Sequence, residues 1–103
     1  MSDDQLAAYR RRIDEVDADL VRLLAERFRI TLEIGWYKAE KSLPPVDLVR
    51  QHQQLDSLRE LARSEGLDSD FCERFIHLVM DEVIMNHRNI AKSGRQRSRS
   101  GSE

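Results

Sequence analysis

Apolar residues recur at steps of three and four along the first third of the chain, a spacing that places them on one face of an α-helix. The row contains Leu6, Tyr9, Ile13, Val16, Leu20 and Leu24, and continues through Arg27, Thr31, Ile34 and Lys38. Two cations therefore follow the apolar residues toward the protein interior, and the row contains no carboxylate. Because a buried cation is unfavourable unless an anion meets it, the pattern predicts a site for a small, multiply negative ligand.

Prolines and capping residues divide the chain into three predicted helices. The first runs from about Asp3 to about Lys41, before an extended turn at residues 43–46 that contains two consecutive prolines. The second begins near Asp47 and stops at Gly66, since glycine commonly follows the last turn of a helix. Asp68 is a suitable N-cap for the third. With no strand pattern, the sequence predicts an all-α protein.

The second and third helices each carry an apolar inner face. These faces comprise Leu48, Leu55, Leu58, Leu61 and Ala62 in the second helix, and Phe71, Phe75, Ile76, Val79, Val83 and Ile90 in the third. His87 follows Val79 and Val83 at steps of four, so it takes a core position. A hydrogen-bonded core histidine is the simpler interpretation of His87, and a ligand contact is the alternative.

The first helix is too long for a compact monomer. At 1.5 Å per residue it would span about 58 Å, whereas a globule of this size has a radius of gyration of about 13 Å. A second apolar row consists of Val21, Ala25, Phe28, Leu32, Trp36 and Ala39, so the helix needs cover on two sides. An intertwined homodimer would supply that cover. Gly35, inside the helix, predicts a close approach by another helix.

The cations of the first helix fall into two groups. Arg27 and Lys38 are eleven residues apart, so they project from one face about 16 Å from each other. Arg10 lies about 25 Å from Arg27 and roughly 100° around the axis. We therefore expect Arg10 to reach the Arg27 site of an antiparallel partner chain. The alternatives are a solvated surface charge for Arg10 and structural ion pairs for Arg27 and Lys38.

The start of the second helix carries a polar face that could close over the same pocket. It contains Asp47, Arg50, Gln51 and Gln54, at helical spacing. Asp47 is also explained adequately as a helix cap.

Composition narrows the class of protein. The chain of 103 residues is one domain with a net charge of −2 and a pI of about 5.9, which argues against a nucleic-acid binder. Cys72 is the sole cysteine, so neither an intrachain disulfide nor a cysteine-rich metal site is expected. The polar start and the absence of a long apolar run predict a cytoplasmic protein that does not bind membranes. Residues 1–92 form the predicted helical domain, and the Ser/Arg-rich residues 93–103 a disordered tail.

The same positions resemble the all-helical class of chorismate mutases from about Leu6 to Ile90. The resemblance rests on Leu6-x-x-x-Arg10-x-x-Ile13-Asp14-x-x-Asp17-x-x-Leu20-x-x-Leu23-Leu24-x-x-Arg27, Gly35-x-x-Lys38, Pro44-Pro45-Val46-Asp47-x-x-Arg50 and Gly66-Leu67-Asp68. It implies an intertwined homodimer with three helices per chain, and two active sites that each use both chains. The implied reaction is the Claisen rearrangement of chorismate, a dicarboxylate, to prephenate without a cofactor or a metal.

The resemblance also implies roles for individual residues. Arg27 of one chain and Arg10 of the other would bind the two carboxylates. Lys38 would donate to the ether oxygen and to a carboxylate, and His87 would be the second donor to the ether oxygen. Asp47, through its backbone N–H, and Gln51 would hold the ring hydroxyl. Arg50 would support the site electrostatically, and Val83 would form an apolar wall.

Two positions depart from the family pattern. Gln51 stands where glutamate is usual, and His87 where glutamine is common. A neutral amide at position 51 leaves room for an amino-substituted chorismate, and an isochorismate pyruvate lyase on the same scaffold is a further alternative. Since an unperturbed imidazole titrates near pH 6.5, His87 predicts activity that changes with pH in that range. A non-catalytic helical dimer that partners an aromatic-pathway enzyme is the alternative outside catalysis.

Overall fold

A computed structural model describes the backbone of residues 2–101 and the side chains of residues 3–93. Over this range the chain forms helices α1 (Ser2–Glu40), α2 (Leu48–Ser64) and α3 (Ser69–Gly101), and contains no strand. The all-α prediction is confirmed, and the helix boundaries lie close to those expected. No helix in the described part of the chain has both the length and the apolar character needed to cross a bilayer.

The chain divides into two compact units, one ending at Thr31 and the other beginning at Leu32. The described part of the first unit is the N-terminal portion of α1. Its apolar row is open to solvent in the single chain, since Ile13 is 57% exposed, Val16 64% and Leu20 45%. This face has apolar area that a second surface could bury.

The C-terminal end of α1 is a Schellman motif, which reverses the chain beside Lys38. The amide of Leu43 donates to the carbonyl of Lys38 at 2.7 Å, and the amide of Ser42 donates to the carbonyl of Ala39 at 3.3 Å. Ser42 has a positive φ of 56°, a conformation that glycine adopts more readily. The four residues Leu43–Val46, here called the strap, then lead to α2.

The caps of α2 and α3 agree with the sequence. Asp47 is the N-cap of α2, and its Oδ1 accepts from the amide of Arg50 at 3.1 Å. At the other end, Gly66 has a φ of 76° and the amide of Leu67 donates to the carbonyl of Ala62 at 2.8 Å, which forms a second Schellman motif. The Oδ1 of Asp68 accepts from the amide of Asp70, at the start of α3.

Helices α2 and α3 pack against each other and supply most of the core of the second unit. The buried side chains of the described residues are Ala62, Val79, Met80, His87 and Ile90. The prediction that Phe71 faces inward is wrong for the single chain, because this residue is 50% exposed. Phe71 lies close to the α2–α3 turn, where the guanidinium of Arg74 covers its ring at 5.8 Å. Leu48 and Leu61, predicted on the inner face of α2, are also exposed.

An arginine joins α2 to the first turns of α3. The guanidinium of Arg59 donates to Glu73, to Asp70 Oδ1 at 3.2 Å and to Ser69 Oγ at 3.4 Å. The hydrogen bond to Asp70 is the main cause that raises the pKa of Arg59 above its ordinary value, and partial desolvation opposes it. Glu73 also lies 3.6 Å from His77 Nε2. This cluster fixes the α2–α3 hairpin.

The backbone of α3 remains helical as far as Gly101. It therefore includes most of the segment from residue 93 onward that the sequence predicts to be disordered. The domain boundary at residue 92 stays a prediction, and the last two residues of the tail lie outside the described residues.

Candidate active site

Two of the predicted site residues converge on one oxygen atom. The Nζ of Lys38 lies 3.4 Å from the carbonyl oxygen of Pro45, and the Nδ1 of His87 lies 3.3 Å from the same atom. Lys38 belongs to the last turn of α1, His87 to the middle of α3 and Pro45 to the strap. The structure thus brings together the cation and the histidine to which the family resemblance gives the same ether oxygen.

The position of His87 depends on a glycine in α1. His87 is only 5% exposed. A Cβ atom at Gly35 would lie 2.8 Å from the ring Cδ2 of His87, 3.2 Å from its Nε2 and 2.9 Å from Ile90 Cδ1. The Cδ2–Nε2 edge of the imidazole therefore faces Gly35, while Nδ1 faces Pro45. The prediction that another helix approaches Gly35 closely is confirmed.

The other site residues of the second unit lie at the start of α2 and on α3. Asp47 and Arg50 are exposed, and Gln51 is half-buried. Asp47 follows Pro45 by two residues, so the cap of α2 and the Lys38–His87 pair are tied together through the strap. Val83 is half-buried one helical turn before His87.

The first unit contains the two predicted carboxylate ligands. Arg10 is exposed. Arg27 is half-buried, and its Nη1 atom is buried without a hydrogen-bond partner. A guanidinium N–H that is removed from water without an acceptor costs free energy.

Among the described residues, no carboxylate forms an ion pair with Arg27 or Lys38. The ion pairs found among these residues use Arg22, Arg59 and His77 as their cationic members. The polar contact of Lys38 is to the uncharged Pro45 carbonyl. Structural ion pairing, the alternative interpretation of Arg27 and Lys38, therefore receives no support from the described part of the chain. Nor do the described His, Cys, Asp and Glu side chains form a group that could hold a metal ion.

Two features escaped sequence reasoning. The carbonyl of Pro45 is a main-chain group, and an acceptor that every residue carries leaves no trace in the residue pattern. Arg59 and its acidic partners were also missed. The available signal was a set of opposite charges on either side of a short turn between two helices, at Arg59, Asp70 and Glu73.

This arrangement suits the stabilisation of an anion better than proton or group transfer. Lys38 and His87 are hydrogen-bond donors aimed at one point, and preorganised donors of this kind stabilise negative charge that develops on an oxygen atom. In the first unit, Arg27 by itself offers a planar donor fork of the kind that matches a carboxylate.

Comparison with known proteins supports this interpretation. Residues 9–88 match the family model of chorismate mutase type II. The chain is 29% identical over 87 residues to the bifunctional chorismate mutase/prephenate dehydratase of Escherichia coli (strain K12), and 30% identical over 86 residues to that of Enterobacter agglomerans. It is 24% identical over 78 residues to the chorismate mutase of Methanocaldococcus jannaschii.

The coverage differs between these relatives. Each of the two bifunctional alignments covers 84% of this chain and 22% of the relative, so the chain spans less than a quarter of those proteins. The archaeal alignment covers 76% of this chain and 79% of the relative. Since the family model matches most of its residues, the chain belongs to the chorismate mutase type II family.

Proposed function

We propose that this protein is a chorismate mutase that converts chorismate to prephenate. The observation that carries the proposal is the convergence of Lys38 Nζ and His87 Nδ1 on one oxygen atom, within a chain of the type II family. The names of the relatives support the same substrate.

The reaction needs only a shaped, electropositive pocket. In the Claisen rearrangement the ether C–O bond of chorismate breaks while a C–C bond forms, and all of the bonding electrons involved stay within one molecule. No nucleophile, proton donor or cofactor is consumed. An enzyme accelerates it by holding the compact reactive conformer and by stabilising negative charge on the ether oxygen.

Lys38 and His87 are the proposed catalytic residues at the ether oxygen. The ammonium of Lys38 supplies a positive charge and three N–H donors, and the imidazole of His87 supplies one donor when neutral and two when protonated. Because His87 is buried, its hydrogen bond acts in an environment that weakens electrostatic interactions less than water does.

Arg27 and Arg10 are the proposed carboxylate ligands. The buried Nη1 of Arg27, which lacks a partner, would gain an acceptor from the substrate. Arg10 of a second chain would bind the other carboxylate. A dicarboxylate between two guanidinium groups is also fixed in orientation, which lowers the entropy cost of the reactive conformer.

The remaining residues would shape the pocket around the ring. Asp47 through its backbone N–H, together with the side chain of Gln51, would hold the ring hydroxyl. Arg50 would add positive potential. Val83 would form an apolar wall on α3 beside His87.

We propose an intertwined homodimer as the active form, in the cytoplasm and without a role for nucleic acid or membrane. Its support is the exposed apolar row of the first unit, which includes Ile13, Val16 and Leu20. Fully burying one such side chain contributes about 1.5–3 kcal/mol, so a row of this length would favour a second copy of the helix. Sedimentation equilibrium should give twice the chain mass.

The decisive experiment for the activity is product analysis with purified protein. Chorismate should disappear and prephenate should form in equal amount. Formation of salicylate and pyruvate from isochorismate would instead establish the lyase. Faster turnover of an amino-substituted chorismate would indicate that Gln51 binds a ring amino group rather than the ring hydroxyl. A chain that turns over none of these and shows no ligand-dependent melting temperature would be a non-catalytic dimer.

Mixing of variants tests whether the sites are shared between chains. Arg10→Ala and Arg27→Ala should each be nearly inactive. Random reassociation of equal amounts makes half of the dimers mixed, and each mixed dimer contains one intact site, so about one quarter of wild-type activity should return. If each site used Arg10 and Arg27 of one chain, mixing would restore no activity.

A further inference from the structure

We infer that Pro45 is a further determinant of substrate affinity, because its carbonyl oxygen occupies the position that the ether oxygen of the substrate takes between Lys38 and His87. The strap would therefore close the site of the free chain, and the substrate would have to displace it. This inference rests on the proposed function.

The hydrogen bonds of the free chain explain why a substrate would compete with the strap. The carbonyl oxygen of Pro45 has two lone pairs, and it lies within 3.4 Å of Lys38 Nζ and 3.3 Å of His87 Nδ1. Lysine has three N–H donors and can share them, but the Nδ1 of histidine carries a single hydrogen. His87 Nδ1 therefore donates either to Pro45 or to a substrate, and not to both with good geometry.

The other edge of the His87 ring packs against α1. Its Cδ2 and Nε2 atoms face Gly35, where only the absence of a Cβ atom leaves room for the ring. Nδ1 is thus the ring nitrogen on the side of Lys38. An oxygen atom that accepts from both donors has to lie where the Pro45 oxygen lies now.

The strap is short and held at both ends. The amide of Leu43 is bonded to the carbonyl of Lys38 at 2.7 Å, and Asp47 caps α2 through the amide of Arg50 at 3.1 Å. Displacement would therefore be a local rotation around Pro44–Val46, without movement of the helices. Since only the open fraction of the protein binds substrate, the strap raises the apparent dissociation constant by the inverse of that fraction.

Selective labelling makes this contact visible. Pro45–Val46 is the only Pro–Val pair of the sequence, so protein with ¹³C in the proline carbonyls and ¹⁵N in valine gives one HNCO cross-peak, which reports the Pro45 carbonyl. The probe is a stable oxabicyclic dicarboxylate shaped like the transition state. Saturation with this probe should move the Pro45 carbonyl resonance upfield, as expected for a carbonyl that loses hydrogen bonds.

A pair of lysine variants provides the matched control in the free protein. Lys38→Met removes one donor and should move the same resonance upfield without ligand. Lys41→Met should leave it in place, because Lys41 is exposed and lies over the Tyr37 ring instead. Circular dichroism confirms that the variants remain helical, and the ligand titration of the unmodified protein does not depend on them.

The outcomes separate this inference from the proposed function. If chorismate is turned over and calorimetry shows that the probe binds, yet the Pro45 resonance stays unchanged, the inference is wrong and the activity stands. If the protein neither turns over chorismate nor binds the probe, the proposed function fails and the inference fails with it. An upfield shift on binding, reproduced by Lys38→Met, supports both.

Discussion

Gly35 lies so close to the imidazole of His87 that a Cβ atom at position 35 would come within 2.8 Å of the ring. Real Cβ atoms do not approach another atom this closely, so any side chain at this position would force His87 to move. A glycine inside a helix costs about 1 kcal/mol relative to alanine. The close packing of α1 against α3 offsets that cost and determines which edge of the His87 ring faces the strap.

Gly35→Ala is expected to lower kcat strongly while it lowers the free energy of unfolding only modestly. Overpacking of this kind costs about 1–3 kcal/mol, and the better helix propensity of alanine returns about 1 kcal/mol. The midpoint of urea unfolding should therefore fall only modestly. Displacement of His87 Nδ1 should lower kcat by at least about tenfold, since each 1.36 kcal/mol of lost transition-state stabilisation is a factor of ten.

A double-mutant cycle with His87→Ala separates the two effects. Once the ring is absent, the second substitution Gly35→Ala should cost much less stability and should change kcat little further. Additive effects of the two substitutions on kcat would show that Gly35 does not act through His87.

Glycine should be the more stable residue at the positive-φ position of both Schellman motifs, so introducing it at Ser42 and removing it at Gly66 should have opposite effects. Ser42 has a positive φ of 56°, so Ser42→Gly relieves strain of about 1–2 kcal/mol and loses about 0.5–1 kcal/mol to chain entropy. The melting temperature should rise by a few degrees at equal protein concentration. Gly66→Ala should lower it, because Gly66 has a φ of 76°, although nothing lies within 4 Å of the added Cβ.

Removal of the Arg59 guanidinium should loosen the α2–α3 hairpin. Arg59→Met keeps the apolar stem but leaves Asp70 and Glu73 without their partner, so the melting temperature should fall, and the fall should shrink at high salt. The exposed Arg63 provides the control, since Arg63→Met should change the melting temperature little.

The pH dependence of that effect has a definite sign. The pKa of Arg59 is raised in the folded protein, so its contribution is complete at every pH below the ordinary arginine value and is lost only as pH rises beyond it. The difference in melting temperature between Arg59→Met and wild type should therefore stay constant from pH 7 to pH 10. A difference that vanished within this range would exclude the ion-pair explanation.

Side chains encode the helix caps and the buried histidine of this fold, whereas the main chain adds an acceptor that no residue type reveals. Asp47 and Asp68 cap their helices as their residue types predict, because a short carboxylate suits the N-cap geometry. His87 is buried as its helical phase predicts. The acceptor at Pro45 could not be predicted, since main-chain carbonyls are common to all residues. The shared use of Arg10 and Arg27 stays a prediction, because it depends on a second chain.

Lys38→Met should lower kcat by about 10²–10³-fold, the usual effect of removing one preorganised donor from a developing oxyanion. Methionine has a similar length and no charge, so the loss would reflect the ammonium rather than packing. Lys41→Met is the matched control three residues later and should retain nearly full activity. Equal losses in both variants would indicate a general effect of charge on substrate attraction and would contradict a specific role for Lys38.

Replacement of His87 should separate the loss of a hydrogen-bond donor from the loss of the imidazole ring. His87→Ala removes the N–H that is directed at the Pro45 oxygen, and it should lower kcat by about 10²–10³-fold, the usual effect of removing one preorganised donor from a developing oxyanion. The side-chain amide of glutamine also carries N–H donors, so His87→Gln should retain more activity than His87→Ala. The control is His77→Ala, whose partner Glu73 belongs to the α2–α3 hairpin, and which should keep kcat near the wild-type value. Undiminished kcat in His87→Ala would place His87 away from the ether oxygen.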